Sequence, residues 1–147
     1  MVRAFSLTSD ALGYFLGYTL VRAQRIAILS PWLSDVEVRL PLTNQPGSRH
    51  LTLSEALERY DQTAVQLVVR AGEDHNEYIT NRLPSHVELR QLDDLHAKAI
   101  VTPEFVYLGS ANITHGGLET NRELCEIIDN EYESVEGYVT NELDYTL

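Results

Sequence analysis

The strongest constraint on the fold is a succession of short aliphatic runs, each closed by turn-forming residues. Arg25-Ile26-Ala27-Ile28-Leu29-Ser30 is stopped by Pro31, and Val65–Val69, Val87–Arg90, His96–Val101, Phe105–Leu108 and Leu124–Ile128 follow along the chain. Runs of this length and composition read as buried strands. Between the early ones lie helical patterns. Ala11–Ala23 places Leu12, Phe15, Leu16, Leu20 and Val21 at helical spacing, with Ser9 or Asp10 available as a cap. A second helix starts at Thr52 or Ser54 and runs through Tyr60, and a third covers Glu73–Leu83, ended by Pro84. Asp35–Leu42 alternates weakly, as an edge strand does, before a loop with Asn44, Pro46 and Gly47. A turn at Thr102-Pro103-Glu104 and another at Gly116-Gly117 mark a closing meander, and helix returns over Tyr132–Leu143. Helices and strands alternate early and strands follow one another late. The expectation is an α/β fold, a mixed β-sheet flanked by helices, as a single domain over residues 1–147.

Composition narrows the classes. With 147 residues and 44% hydrophobic content the chain can bury a real core. The lone Cys125 excludes an intramolecular disulfide and a cysteine-based zinc site, and its apolar neighbours make it an inert core thiol. The apolar stretch Ala11–Val21 is interrupted by Gly13 and Gly17 and falls short of the ~20 residues of a membrane span. With no signal peptide in view, a soluble cytoplasmic protein without membrane attachment is expected. The formal net charge is −11. That is unusual for a nucleic-acid-binding protein, which ordinarily carries a broad basic surface, although a local basic cleft can focus field on an acidic body. Lysine depletion with excess acid also fits work in high salt, where screening shortens to ~3 Å at 1 M. A plain acidic, soluble surface is the alternative.

Ten arginines are accompanied by one lysine, Lys98, two residues after His96. Side chains two apart on a strand share a face, so His96, Lys98 and Ile100 project together and Ala97, Ala99 and Val101 project oppositely. After the Pro103 turn the chain returns antiparallel, bringing Ser110 and Asn112 of Gly109-Ser110-Ala111-Asn112 towards them. An imidazole, an ammonium, a hydroxyl and a carboxamide then surround one small volume. Lys98, Asn112 and Ser110 supply donors for phosphate oxygens, and His96 is positioned to attack phosphorus. A nucleophilic imidazole needs its other nitrogen held by an acceptor, and Glu123 is the best candidate. His115, just past the motif, is within possible reach of substrate. Trp32 after Pro31 either packs in the core or stacks on a base at the cleft mouth. Arg22, Arg25, Arg49, Arg70, Arg82 and Arg90 are available for a phosphate track, without a common face legible from sequence. His50, His75 and His86 have no ligand spacing, and no metal or cofactor is expected.

These residues resemble the phospholipase D superfamily, whose signature is His-x-Lys followed by Gly-Ser-x-Asn. The resemblance rests on His96-Ala97-Lys98, Gly109-Ser110-Ala111-Asn112-Ile113-Thr114, Gly116-Gly117-Leu118 and Asn121-Arg122-Glu123, with Ser30-Pro31-Trp32-Leu33 at the end of the early strand. There is one departure: Pro103 stands where the family usually has an aspartate, and Glu104 is the nearest acid. The resemblance implies a phospholipase D-like fold and metal-independent, two-step phosphodiester cleavage through a phosphohistidine. Short members with a single motif build their site at a symmetric dimer interface, which implies a homodimer with two His96 rings facing one another. The expected activity is that of a nuclease on DNA or RNA. The alternative is a non-catalytic phospholipase D-like module that binds nucleic acid or protein within a larger complex. A helicase or defence-system partner protein is the association the family suggests. Phospholipid hydrolysis is a third, weaker reading.

Overall fold

The computed structural model describes residues 4–7, 11–41, 50–120 and 123–147. Its strands are β1 (Ala4–Leu7), β2 (Arg25–Leu29), β3 (Glu37–Arg39), β4 (His50–Thr52), β5 (Ala64–Arg70), β6 (Glu88–Leu92), β7 (Ala99–Val101), β8 (Phe105–Gly109) and β9 (Cys125–Asp129). The helices are α1 (Leu12–Arg22), α2 (Leu53–Arg59), α3 (Glu77–Thr80) and α4 (Val135–Glu142). Seven strands form one sheet in the order β1-β9-β8-β7-β2-β5-β6, and β3 and β4 form a separate antiparallel ribbon. The mixed α/β architecture expected from the sequence is present. Among the described residues no helix is long and apolar enough to cross a membrane.

Strand β2 is the pivot of the sheet. It pairs parallel with β5, Ile28 opposite Leu67, and antiparallel with β7, Ile28 opposite Ile100. Its side chains alternate between two cores. Ile26 and Ile28 join Val65, Leu67, Ile100 and the apolar faces of α1 and α2, while Ala27 and Leu29 join Val68, Ala99, Val101 and α4. Being apolar on both faces, β2 must be covered on both, which gives three layers. Each fully buried Leu or Ile contributes about 1.5–3 kcal/mol. Arg25 ties α4 to the sheet, pairing with Glu136 at 2.7 Å and donating to the buried Gln66 at 3.1 Å.

Several boundaries depart from the sequence expectation, each for a local reason. Helix α1 begins after Ala11, which makes no side-chain cap bond, and Ser9 and Asp10 lie outside the described residues. Thr52 caps α2 in a reciprocal box with Glu55. The helix expected over Glu73–Leu83 is a 3-10 turn, Asp74–Asn76, followed by the single turn of α3. The Asn76 side chain faces inward there and bonds a different segment. The expected helix over Tyr132–Leu143 starts only at Val135, because Glu133 takes a left-handed φ of 55° and Ser134 caps the chain that follows. The Gly116-Gly117 turn is a π-helical turn over Gly116–Thr120, with the Thr114 hydroxyl accepting from the Gly117 amide at 2.9 Å. Asp35–Leu42 shortens to β3, and the loop around Asn44, Pro46 and Gly47 lies outside the described residues. Strand β1, not anticipated from sequence, extends the sheet by pairing with β9.

Helix α1 rests on the β3 ribbon through Gly17, where an added Cβ would stand 2.1 Å from the Arg39 carbonyl oxygen. Backbone cannot yield as a flexible side chain does. Gly17→Ala is therefore expected to force α1 off the ribbon, costing about 1–3 kcal/mol and lowering the melting temperature by roughly 3–10 °C in a thermal unfolding scan. An unchanged melting temperature would show that this contact is not a constraint.

Candidate active site

The candidate site lies at the carboxyl ends of the parallel strands β2 and β5, beside the amino end of the antiparallel β7. In open α/β sheets the crevice outside the carboxyl ends of the strands is the ordinary place for a ligand. Three turns converge on it: Ser30–Leu33 after β2, Leu95–Lys98 before β7, and Ser110–Asn112 after β8.

The expected strand His96–Val101 is regular only from Ala99. Upstream of it, ladder bonds are replaced by side chains. Arg70, the last residue of β5, donates to the Leu95 carbonyl from Nε at 3.1 Å and from a terminal nitrogen at 3.0 Å. The His96 amide donates to the Tyr145 hydroxyl at 3.3 Å. The alternation of faces persists even so, since Ala97, Ala99 and Val101 share one core and Ile100 the other. His96 is exposed and Lys98 half-buried, and the Lys98 ammonium donates to the His96 carbonyl at 3.3 Å.

Arg70 is the residue whose importance sequence reading left undecided. Its guanidinium stands 3.1 Å from Nδ1 of His96, 3.7 Å from Glu73 and 5.9 Å from the centre of the Trp32 ring. A guanidinium only donates, so Nδ1 is the acceptor and the ring proton sits on Nε2. The signal in the sequence was an arginine ending a buried strand at the ligand edge. Proximity to His96 came only from pairing β5 beside β2. The other candidate cations are engaged elsewhere: Arg22 lies over Tyr18, Arg82 over Tyr78, and Arg90 donates to the Thr146 carbonyl. Arg49 lies outside the described residues.

Asn112 is half-buried, and its side-chain oxygen accepts from the Trp32 amide at 3.4 Å. That reserves its NH₂ as a donor. Its backbone is backed by Gly117, where a Cβ would stand 2.1 Å from the Asn112 carbonyl oxygen, so the second glycine of Gly116-Gly117 is required by close approach. Buried Ser30 stitches the same turns together, donating to the Trp32 carbonyl at 2.6 Å and accepting from the Ile113 amide at 3.0 Å. Ser110 is exposed; its hydroxyl donates to Glu123 and accepts from the Leu124 amide at 3.0 Å. Glu123, for which a bond to His96 was expected, is thus joined to Ser110 within this chain. Asn121 and Arg122 of the same motif lie outside the described residues.

Trp32 is 42% exposed, which settles its choice against the core. The turn that carries it is held by Asn76, itself 3% exposed, whose side chain donates to the Pro31 carbonyl and accepts from the Leu33 amide, each at 2.8 Å. His115 is exposed and borders a pocket with Trp32. Cys125 is buried beneath the site, where burial pushes its thiol above the usual range, and it lies 3.7 Å from the Tyr107 hydroxyl. Pro103 sits in the turn joining β7 to β8, at the other end of β7 from His96. Thr102 and the buried Asn130 hold that turn, the Asn130 amide donating to the Thr102 carbonyl at 2.8 Å. Five residues of extended chain from Lys98 amount to about 16 Å, so position 103 does not line the crevice.

This sheet order, with a His-x-Lys segment facing a Gly-Ser-x-Asn turn, defines a phospholipase D-like domain. The chain belongs to that family: residues 14–145 match the family model described as cardiolipin synthase, PLD-like domain. Among solved structures it is similar to NucT from Helicobacter pylori, at 13% identity and a TM-score of 0.64, covering 100% of this chain and 99% of that one. It is also similar to Nuc from Salmonella typhimurium, a phospholipase D family member, at 16% identity and a TM-score of 0.65, covering 98% and 92%. TrmBL2, an archaeal chromatin protein, is similar at 14% identity and a TM-score of 0.50, covering 88% of this chain and 48% of that one. No curated protein matches the sequence.

Asn76 positions Trp32 through one donated and one accepted bond. Asn76→Asp keeps the acceptor for Leu33 but cannot donate to Pro31, and it buries a carboxylate. The variant is expected to lose about 1–3 kcal/mol in denaturant unfolding and to loosen Trp32, lowering its fluorescence anisotropy. Anisotropy equal to wild type would refute the positioning role.

Proposed function

We propose that the protein is a metal-independent phosphodiesterase, a nuclease acting on DNA or RNA, with His96 as nucleophile. The observation that carries this reading is the convergence of His96, Lys98, Arg70 and Asn112 on the crevice at the ends of β2 and β5. Lys98 and the Asn112 NH₂ hold non-bridging phosphate oxygens, and Arg70 supplies a further charge. Nε2 of one His96 attacks phosphorus while the bond to the leaving oxygen breaks. A second His96, from a partner copy of the chain, gives that oxygen its proton. Water then attacks the phosphohistidine and passes its proton to the second ring, restoring both.

The two rings need opposite forms. The nucleophile requires a bare Nε2 and a proton on Nδ1, held by an acceptor such as Glu123. With Arg70 on Nδ1 the ring is neutral and carries its proton on Nε2; the donor is the imidazolium, protonated on both nitrogens, so Arg70 leaves Nδ1 in both working forms. A homodimer supplies one ring for each task. The proline at position 103 replaces a residue remote from the crevice, so it removes no group from around the phosphate. Substrate binding extends to Ser110, once it releases Glu123, and to His115 and Trp32.

His96→Ala is expected to reduce cleavage of a nucleic-acid diester by about 10³-fold or more, with wild-type activity unaffected by EDTA. Neutral quenching of the wild type should trap phosphate on His96. Cleavage that survives in His96→Ala, or that disappears with chelator, sinks the mechanism.

A second reading has support in the fold likeness to an archaeal chromatin protein: a module that binds DNA without cutting it. Nucleic-acid binding by a dimer that never forms phosphohistidine would favour it.

A further inference from the structure

A pocket of about 430 Å³ opens beside the phosphate crevice, lined by Trp32, Ser34, His75, Thr114, His115 and Gly116. It is continuous with the candidate site through covalent and noncovalent links. Thr114 and His115 follow Asn112 after the single residue Ile113, the Trp32 amide meets the Asn112 side chain, and the Arg70 guanidinium that touches His96 also lies over the Trp32 ring. We propose that this pocket is a nucleobase subsite, in which Trp32 stacks on the base of the nucleotide adjoining the scissile phosphate while His75 and His115 bond its polar edge.

Trp32 is the chain's one tryptophan and is left 42% exposed on a turn that Ser30 and Asn76 pin rigidly. A large aromatic held still in solvent forfeits its own burial, yet it loses little entropy when a flat ring covers it. His75 comes from a separate element, the 3-10 turn, and its Nε2 lies 2.8 Å from the Ser34 hydroxyl. That contact fixes the ring and leaves Nδ1 for a ligand. The chain has 22 acidic residues, and among the described residues none of them lines this pocket, so a phosphate-bearing ligand meets no like charge at its described walls. A lipid tail would leave Nδ1 of His75 and the His115 ring without partners, whereas a heterocycle with donors and acceptors matches them. Base–aromatic stacking tolerates any base, so the subsite recognises an unstacked nucleotide and not a sequence.

The placement beside a scissile phosphate rests on the phosphodiesterase reading, but the pocket is testable without turnover. Selectively excited tryptophan emission reports Trp32 alone. Titration with a single-stranded deoxyoligonucleotide should quench it and give affinity about 5- to 100-fold above that of an abasic oligomer of equal length and charge. His75→Gln should narrow that preference several-fold, and Trp32→Leu should abolish it in a filter-binding or anisotropy assay with labelled DNA. Equal affinity for the two oligomers, without quenching, overturns the subsite even if diesters are cleaved. Failure to hydrolyse any diester, with the base preference intact, overturns the phosphodiesterase reading and leaves the subsite standing.

Discussion

The two-sided pairing of β2 governs the molecule. The strand's carboxyl end lies between the carboxyl end of β5 and the amino end of β7, and the crevice there is where the chemistry collects. Because Ile26 and Ile28 face one core while Ala27 and Leu29 face the other, a slip of one residue would invert both. Register is therefore set by burial on two faces at once. That same register brings Arg70, at the end of β5, beside Leu95 and His96.

The electrostatics are local against an unfavourable background. The body carries a formal charge of −11, yet His96, Lys98 and Arg70 gather at one edge of the sheet. Charges within a few ångströms outweigh a distributed field screened over about 8–10 Å at moderate salt. The lone lysine fits this division. A compact, mobile ammonium is retained at the crevice, while arginines elsewhere serve in ion pairs and ring contacts, such as Arg25 with Glu136 and Arg39 over Tyr14.

Much of the layout was legible because burial imposes simple periods. The strand at β2, the alternation through Ala97–Val101 and the capped helix from Thr52 all follow from patterns of apolar residues and one cap. The misses share a cause. The helix expected over Glu73–Leu83 gave way because Asn76 is worth more bonding Pro31 and Leu33 than facing solvent on a regular helix. The strand expected from His96 begins late because Arg70 and Tyr145 take the bonds a ladder would make. In each case a long-range side-chain bond overrode a local preference, and no window of sequence contains both partners.

By itself, the sequence determined the fold class and the residue types gathered at the crevice, since hydrophobic period and motif spacing are properties of neighbouring residues. Tertiary structure alone decided which of the scattered arginines reaches His96, that Glu123 is joined to Ser110 within the chain, and that Trp32 stands in solvent beside His75 and His115. The physical reason is sequence separation. Arg70 and His96 are 26 residues apart, and Trp32 and Asn112 are 80 apart, so only strand order and register can join them.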